Sequence, residues 1–135
     1  MSFLPVYLDS SALMKLVVPE RETAALEKEL ERWPDRLSSE LAAVECYRAV
    51  RRRGGNASLH ERVRQVLASC TLIRFDNSLM RLAEHVGPPM IRSLDALHLA
   101  SALSLGDYPE AFITYDDRLA AAARTVKLRV LQPGR

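Results

Sequence analysis

"VYLDSSAL", residues 6–13, sets a short apolar run directly before an aspartate and two serines. Near the other end "AFITYDDRL", residues 111–119, repeats the arrangement, with Phe112 and Ile113 leading through Thr114 to Asp116. Both stretches read as short buried strands that feed a helix. In an open parallel sheet the ligand crevice lies outside the carboxyl ends of the strands. If the two strands are near neighbours, Asp9 and Asp116 point into one crevice. The competing account is that each aspartate caps the helix behind it, which is common at strand-to-helix turns.

Outward from these two stretches, strands and helices alternate. "FLPVYL" (3–8) is the first strand, and "SSALMKLVV" is a helix capped by Ser10 or Ser11 and stopped by Pro19. "ERETAALEKELERW" is an amphipathic surface helix closed by Pro34. "RLSSELAAVECYRAVRRRGG" holds a helix capped by Ser38 or Ser39 and ended by Gly54-Gly55, with arginines in its last turn as the helix dipole prefers. "NASLHERVRQVLASC" returns as a helix capped by Asn56 or Ser58. "TLIRF" is a strand, "DNSLMRLAEHV" a helix started by Asp76, and "GPP" (87–89) a loop. "SLDALHLASALSLG" is an apolar helix capped by Ser93 and ended by Gly106. "EAFIT" is a strand, "DDRLAAAARTV" a helix, and "KLRVLQP" a last strand at the sheet edge. The alternation predicts an α/β fold with a mostly parallel sheet between helices. No repeat, linker or low-complexity segment divides residues 1–135, so they read as a single domain.

Composition agrees. The 135 residues are 48% apolar and 27% charged, enough for one packed core and too short for two. Cys46 and Cys70 lack CxxC or Cys/His neighbours, so they read as buried, reduced thiols. No apolar run approaches the roughly 20 residues that span a bilayer. "MSFLPVYLD" lacks a basic n-region, so the expectation is a cytoplasmic protein without a membrane or secretory segment. Net charge is only +2 but uneven: Glu20–Asp35 holds six acids against three bases, and Arg48–Arg64 holds six arginines against one glutamate. The basic stretch is either a polyanion footprint or a solvated helix face.

Two further acids stand out. Glu45 is the only charged residue between Glu40 and Arg48, on a helical stripe with Leu41, Ala42 and Ala49. Desolvating a lone carboxylate is costly, so Glu45 either faces a wet cleft or pairs with a cation such as Arg48 or Arg92. Asp95 is the sole acid of an otherwise apolar helix; it is either first-turn dipole chemistry or a fourth member of the same cleft. Four converging carboxylates repel one another unless a cation joins them. An all-oxygen set without cysteine suits Mg²⁺ or Mn²⁺ better than Zn²⁺. Such a centre does phosphoryl chemistry, and the absence of a phosphate-binding glycine loop favours hydrolysis of a nucleic-acid backbone over transfer from a nucleotide.

The ordered set "LDSSAL", a glutamate within an apolar helix, "SLDALHLASAL" and "ITYDDRL" resembles the PIN-domain ribonucleases, most closely the VapC toxins of toxin–antitoxin pairs. The resemblance spans nearly the whole chain and implies a three-layer αβα domain with four to five strands. It implies an endoribonuclease with Asp9, Glu45, Asp95 and Asp116 holding Mg²⁺ or Mn²⁺ and positioning the attacking water. Thr114 and Ser10 would support them by hydrogen bonding, and Asp117 would be the helix cap or a neighbouring group, although it could replace Asp116. The resemblance also implies a homodimer, a VapB-like antitoxin partner, an assembly of both on operator DNA, and structured RNA (tRNA or rRNA) as substrate. Arg48, Arg51, Arg52 and Arg92 are then candidates for binding the RNA backbone.

Other residues carry bland readings beside the functional ones. His98, one turn after Asp95, reads as a hydrogen-bonded structural histidine rather than a general base. Trp33 reads as a packing anchor rather than a base-stacking ring. Met14, Leu16, Val17, Leu26 and Leu30 form either an antitoxin groove or core. A haloacid-type phosphatase needs D-x-D after the first strand, where Ser11 stands, and a receiver needs a late lysine that is missing. A PIN nuclease of RNA processing without an antitoxin, and a non-catalytic binding module of that fold, remain as alternatives.

Overall fold

The computed structural model describes residues 4–106 and 109–135. Phe3, which the sequence reading joins to the first strand, lies outside the described residues, as do Met1 and Ser2. In chain order the elements are β1 (Val6–Leu8), α1 (Ser10–Val17), α2 (Thr23–Leu30), β2 (Arg36–Ser39), α3 (Glu40–Arg52) and α4 (Ala57–Ala68). There follow β3 (Thr71–Ile73), α5 (Asn77–His85), α6 (Ser93–Leu103), β4 (Ala111–Ile113), α7 (Asp117–Thr125) and β5 (Val130–Leu131).

The five strands form one sheet in the order β3-β2-β1-β4-β5, and every pairing is parallel. The chain winds outward from β1 through β2 to β3, then crosses to the other side for β4 and β5. The reversal falls between β1 and β4, where open α/β sheets place their ligands. These strands pair in register, Leu8 beside Ile113. Asp9 therefore leaves the sheet next to the segment that leads to Asp116.

Both faces of the central strands are covered, which is why they read as continuous apolar runs. Alternation within the runs sorts the side chains into two cores. Val6, Leu8, Ala111 and Ile113 pack with Leu13, Leu26, Trp33, Cys46, Val50 and Val63 from the helices of one face. Tyr7 and Phe112 point the other way and join Leu99 and Ala102 of α6 and Leu119 and Ala123 of α7. The result is a three-layer αβα domain, as expected. α6 is buried over most of its surface, including Asp95, His98 and Ser101, matching its mainly apolar sequence.

Several local expectations change. The stretch Arg36–Ser39 is a strand, not a lead-in to α3. It carries one apolar side chain and no periodic pattern; its serines are buried because Ser38 donates to the Leu8 carbonyl at 2.7 Å and Ser39 accepts from the Ala42 amide at 3.2 Å. Asp9, rather than Ser10 or Ser11, caps α1. Arg92 occupies the cap position of α6 in place of Ser93 and supplies no capping side chain. Asp116, not Asp117, caps α7. The second helix begins only at Thr23, and "TLIRF" and "KLRVLQP" contract to β3 and β5, with β5 at the edge as expected. Gly54 and Gly55 both have positive φ, 103° and 62°, and the Gly55 amide closes onto the Val50 carbonyl at 3.0 Å, turning the chain between α3 and α4. Cys46 is buried as expected; Cys70 is only half-buried, and both are free thiols.

Candidate active site

The two accounts of the strand-end aspartates turn out to be compatible, because a carboxylate has two oxygens. Asp9 Oδ1 accepts from the Ala12 amide at 2.9 Å and so caps α1. Its Oδ2 accepts from the Thr114 hydroxyl at 2.6 Å, across the β1–β4 junction. Asp116 Oδ1 accepts from the Arg118 and Leu119 amides at 2.9 and 3.1 Å, while Oδ2 faces the Arg92 guanidinium at 3.7 Å. Thr114 binds both segments, since its Oγ1 also accepts from the Asp116 amide at 3.1 Å.

Asp95 enters from α6. It is buried, and its Oδ2 lies 3.2 Å from the Arg92 guanidinium, which thus bridges Asp95 and Asp116. Arg92, read from sequence as a candidate RNA contact, faces these two acids with its side chain half exposed. Glu45 enters from α3, half-buried, and its partner is neither Arg48 nor Arg92 but His98, whose Nε2 lies 2.7 Å from Oε1. The His98 Nδ1 lies 3.2 Å from the Tyr7 hydroxyl, so the hydrogen-bonded reading of this histidine holds.

Electrostatics ties the four acids together. Burial pushes the Asp9 carboxyl above its usual range, against the opposing pull of His98 and of the Thr114, Ser11 and Ala12 hydrogen bonds. For Glu45, burial also raises the pKa, but the His98 hydrogen bond and charge, with the Ser10 hydroxyl, more than reverse it, while Asp116 is close enough to oppose them. Burial works against protonation of His98; the Glu45 hydrogen bond and the charges of Asp9, Glu45 and Asp95 outweigh it and raise the pKa. A crevice in which one acid is pushed toward protonation and two others share an arginine is short of positive charge.

The donor chemistry suits a hard cation. Asp9, Glu45, Asp95 and Asp116 offer only carboxylate oxygens, and the facing oxygens of Asp95 and Asp116 already attend a cation in Arg92. Among the described residues no three His, Cys, Asp or Glu side chains close into a ready-made cage. Mg²⁺ needs no such cage: it commonly uses one or two carboxylates and keeps several waters.

A second hydroxyl on Asp9 belongs to Ser11, which donates to Oδ1 at 2.7 Å, lies 3.3 Å from Thr114 Oγ1 and accepts from the Tyr115 amide at 2.8 Å. Ser10, expected to support the acids by hydrogen bonding, lies beside Glu45, the carboxylate its hydroxyl serves. Asp117 turns away from the crevice to Arg135 at 3.1 Å and Gln132 at 3.3 Å. A groove of about 490 Å³ runs from Ser10 and Glu45 along α3 past Arg48 and Arg52, with Met14 and Leu94 on its walls. Arg51 is exposed on the same helix. Trp33 is buried and donates to Glu29 at 2.9 Å, which removes it as a stacking ring; Val17, Leu26 and Leu30 are core.

Residues 6–125, which contain all four acids, match the PIN domain family. The chain belongs to the PIN-domain family. Within it, relatives are of the VapC type. Ribonuclease VapC46 of Mycobacterium tuberculosis (strain ATCC 25618 / H37Rv) is 41% identical over 95% of this chain and 97% of that protein. Ribonuclease VapC47 of the same species (strain CDC 1551 / Oshkosh) is 38% identical over 96% and 97%. The fold is also that of VapBC2 from Rickettsia felis bound to a promoter DNA fragment, at a TM-score of 0.75 and 12% identity over 95% of this chain and 98% of that one. M. tuberculosis VapC20, a sarcin-ricin loop cleaving toxin, aligns with a TM-score of 0.69 at 14% identity, covering 87% and 94%.

For a PIN domain of this type, the sequence reading missed two parts of the site. Ser11 was visible in "LDSSAL", but nothing in the pair of serines says which hydroxyl turns back to Asp9. Tyr7 was read only as a strand residue, and its link to Glu45 through His98 depends on how α6 packs on the Tyr7 face of the sheet and meets Glu45 of α3.

Proposed function

We propose that this VapC-type PIN domain is a metal-dependent endoribonuclease, the toxin of a toxin–antitoxin pair, and that it hydrolyses phosphodiester bonds of structured RNA such as tRNA or rRNA in the cytoplasm. The observation that carries the reading is the approach of four acids from β1, α3, α6 and the end of β4 to one another through Thr114, Arg92 and His98, Arg92 being, among the described residues, the one arginine paired to them. Asp9, Asp95 and Asp116, with Glu45, would hold Mg²⁺ or Mn²⁺. When bound, that ion would lower the pKa of a water and offset charge building on the phosphodiester. Ser11 and Thr114 keep Asp9 oriented through both its oxygens. Glu45, held below the usual carboxylate range, is ionised at neutral pH and able to accept a proton from the attacking water. Arg48, Arg51 and Arg52 would track the RNA backbone beside the crevice, and Arg92 would release an acid or meet the scissile phosphate when RNA arrives.

The family implies a homodimer and a VapB-like antitoxin, in a larger assembly on operator DNA. Among the described residues no helix is long and apolar enough to cross a membrane. The deciding experiment is cleavage of total RNA by antitoxin-free protein with Mg²⁺ or Mn²⁺, beside EDTA and Asp95→Asn. Discrete fragments that require both metal and Asp95 support the proposal. No cleavage across several RNA pools would replace it with a binding-module reading.

A further inference from the structure

Three of the four acids are aimed by the backbone that carries them. Asp9 and Asp116 follow strand ends and cap the helices behind them, and Asp95 sits in the first turn of a buried helix beside Arg92. Glu45 has no such fixture. It lies within α3 on a long, flexible side chain that is 30% exposed.

His98 supplies the missing restraint. It is buried, with Nε2 at 2.7 Å from Glu45 Oε1 and Nδ1 at 3.2 Å from the Tyr7 hydroxyl. Tyr7 is itself buried on β1 and stacked flat on Phe112 of β4, with ring centres 5.2 Å apart and planes 5° from parallel. The far end of the chain of contacts is therefore anchored in the middle of the sheet. The Tyr7 phenol is an O–H donor placed within hydrogen-bond reach of His98 Nδ1. In a neutral imidazole, Tyr7 donates to Nδ1 and Nε2 retains its hydrogen; in the protonated ring both nitrogens donate. Either way Nε2–H donates to the Glu45 carboxylate, and no lone pair is left there to act as a base.

We propose that Tyr7 and His98 form a positioning relay that fixes the Glu45 carboxylate beside the other acids, so that His98 affects cleavage chiefly through Glu45. The proposal rests on the nuclease reading above. Pre-set orientation of a reacting group appears in turnover rather than in substrate binding. The partners that orient ligands in metal sites typically change activity by about 10–100-fold when removed.

The test is a double-mutant cycle on RNA cleavage. His98→Ala is expected to lower kcat about 10–100-fold with little change in KM, and Tyr7→Phe, which removes a single hydroxyl, to lower it less. His98→Gln, which restores an N–H donor, recovers part of the loss. In a Glu45→Ala background His98→Ala and Tyr7→Phe reduce the residual rate far less than they reduce the parent rate. An undiminished loss in that background, or full activity of both single variants, overturns the relay. If His98→Ala does not fold, as a melting curve would show, the Tyr7→Phe arm decides alone. If the wild-type protein does not cleave RNA, it is the nuclease reading that fails. The relay is then read from the ring-nitrogen NMR signals of His98: Glu45→Ala is expected to shift Nε2 and Tyr7→Phe to shift Nδ1. Signals insensitive to both changes overturn it.

Discussion

The Thr114 hydroxyl donates to Oδ2 of Asp9 at 2.6 Å, joining residues 105 apart in the chain. The bond crosses from the end of β4 to the end of β1, and both residues are buried. Because the Asp9 carboxyl is pushed up by burial, its ionised form depends on the donors around it.

Replacing Thr114 by Val should therefore leave a buried carboxylate oxygen without its donor. An unsatisfied buried group costs about 1–3 kcal/mol. Thr114→Val is expected to lose that much in urea unfolding at neutral pH and to cleave RNA more slowly. Thr114→Ser should regain most of both. Equal stability of the Val variant would mean that this bond contributes nothing net.

Asp95→Asn should separate chemistry from folding. The variant removes one negative charge from a crowded crevice and keeps the side-chain shape. Its ion pair is with Arg92, whose side chain is half exposed, and such pairs are worth about 0–1 kcal/mol. Melting temperature should stay close to that of the parent. Cleavage should fall by at least about 100-fold, the upper end of what an outer partner of a metal site costs. A stable variant that still cleaves at the parent rate would remove Asp95 from the proposed site.

Glu22 provides a pH-dependent anchor away from the crevice. Its carboxylate is buried beside Lys15 at 3.1 Å and Arg135 at 3.3 Å. The Lys15 hydrogen bond is the main cause that holds its pKa down to about 2, against burial, which raises it. A depressed folded-state pKa contributes stability above the unfolded value of 4.5, and that contribution disappears as pH falls toward about 2. The melting-temperature gap between the parent and Glu22→Gln should be constant above roughly pH 5 and close between there and pH 2. A gap independent of pH across that window would contradict the assignment.

The basic face of α3 should reveal itself in salt dependence. Arg53 and Arg64 are drawn to Glu20 and Glu61, whereas Arg48, Arg51 and Arg52 lie exposed along the helix that carries Glu45. Each phosphate contact on a single strand contributes about 0.7 to the slope of log affinity against log salt. Changing all three arginines to Ala should flatten the slope by about 2 and weaken RNA binding. Binding measured on an uncleavable RNA, or in EDTA, isolates this effect. An unchanged slope would move the RNA path off this face.

Much of the fold was legible because its signals are local. β1, β3, β4 and β5, and the seven helices among the described residues, carry apolar runs, period-3.6 stripes or capping residues that announce themselves within a few positions. β2 does not. Arg36–Ser39 is a strand only because β1 and β3 lie on either side to pair with it, and its buried serines are tolerated only because each finds a partner. Where a cap was misplaced, at α1, α6 and α7, several polar residues crowd one turn, and their order in the chain does not say which side chain folds back.

By itself the sequence determined the kinds of group available: four acids at the ends or on the apolar faces of recognisable elements, no thiol or histidine cluster to compete with them, and an alternation that forces a parallel sheet. Those are consequences of residue type and periodicity, which act over a few residues. Only the tertiary structure decided which groups meet. The strand order put β4 against β1 and so gave Asp9 the hydroxyl of Thr114. With α3 and α6 packed on opposite faces of the sheet, Glu45 reaches His98, and His98 reaches Tyr7. Those partnerships depend on distances between segments far apart in the chain, and side-chain hydrogen bonds exist only once packing has set those distances.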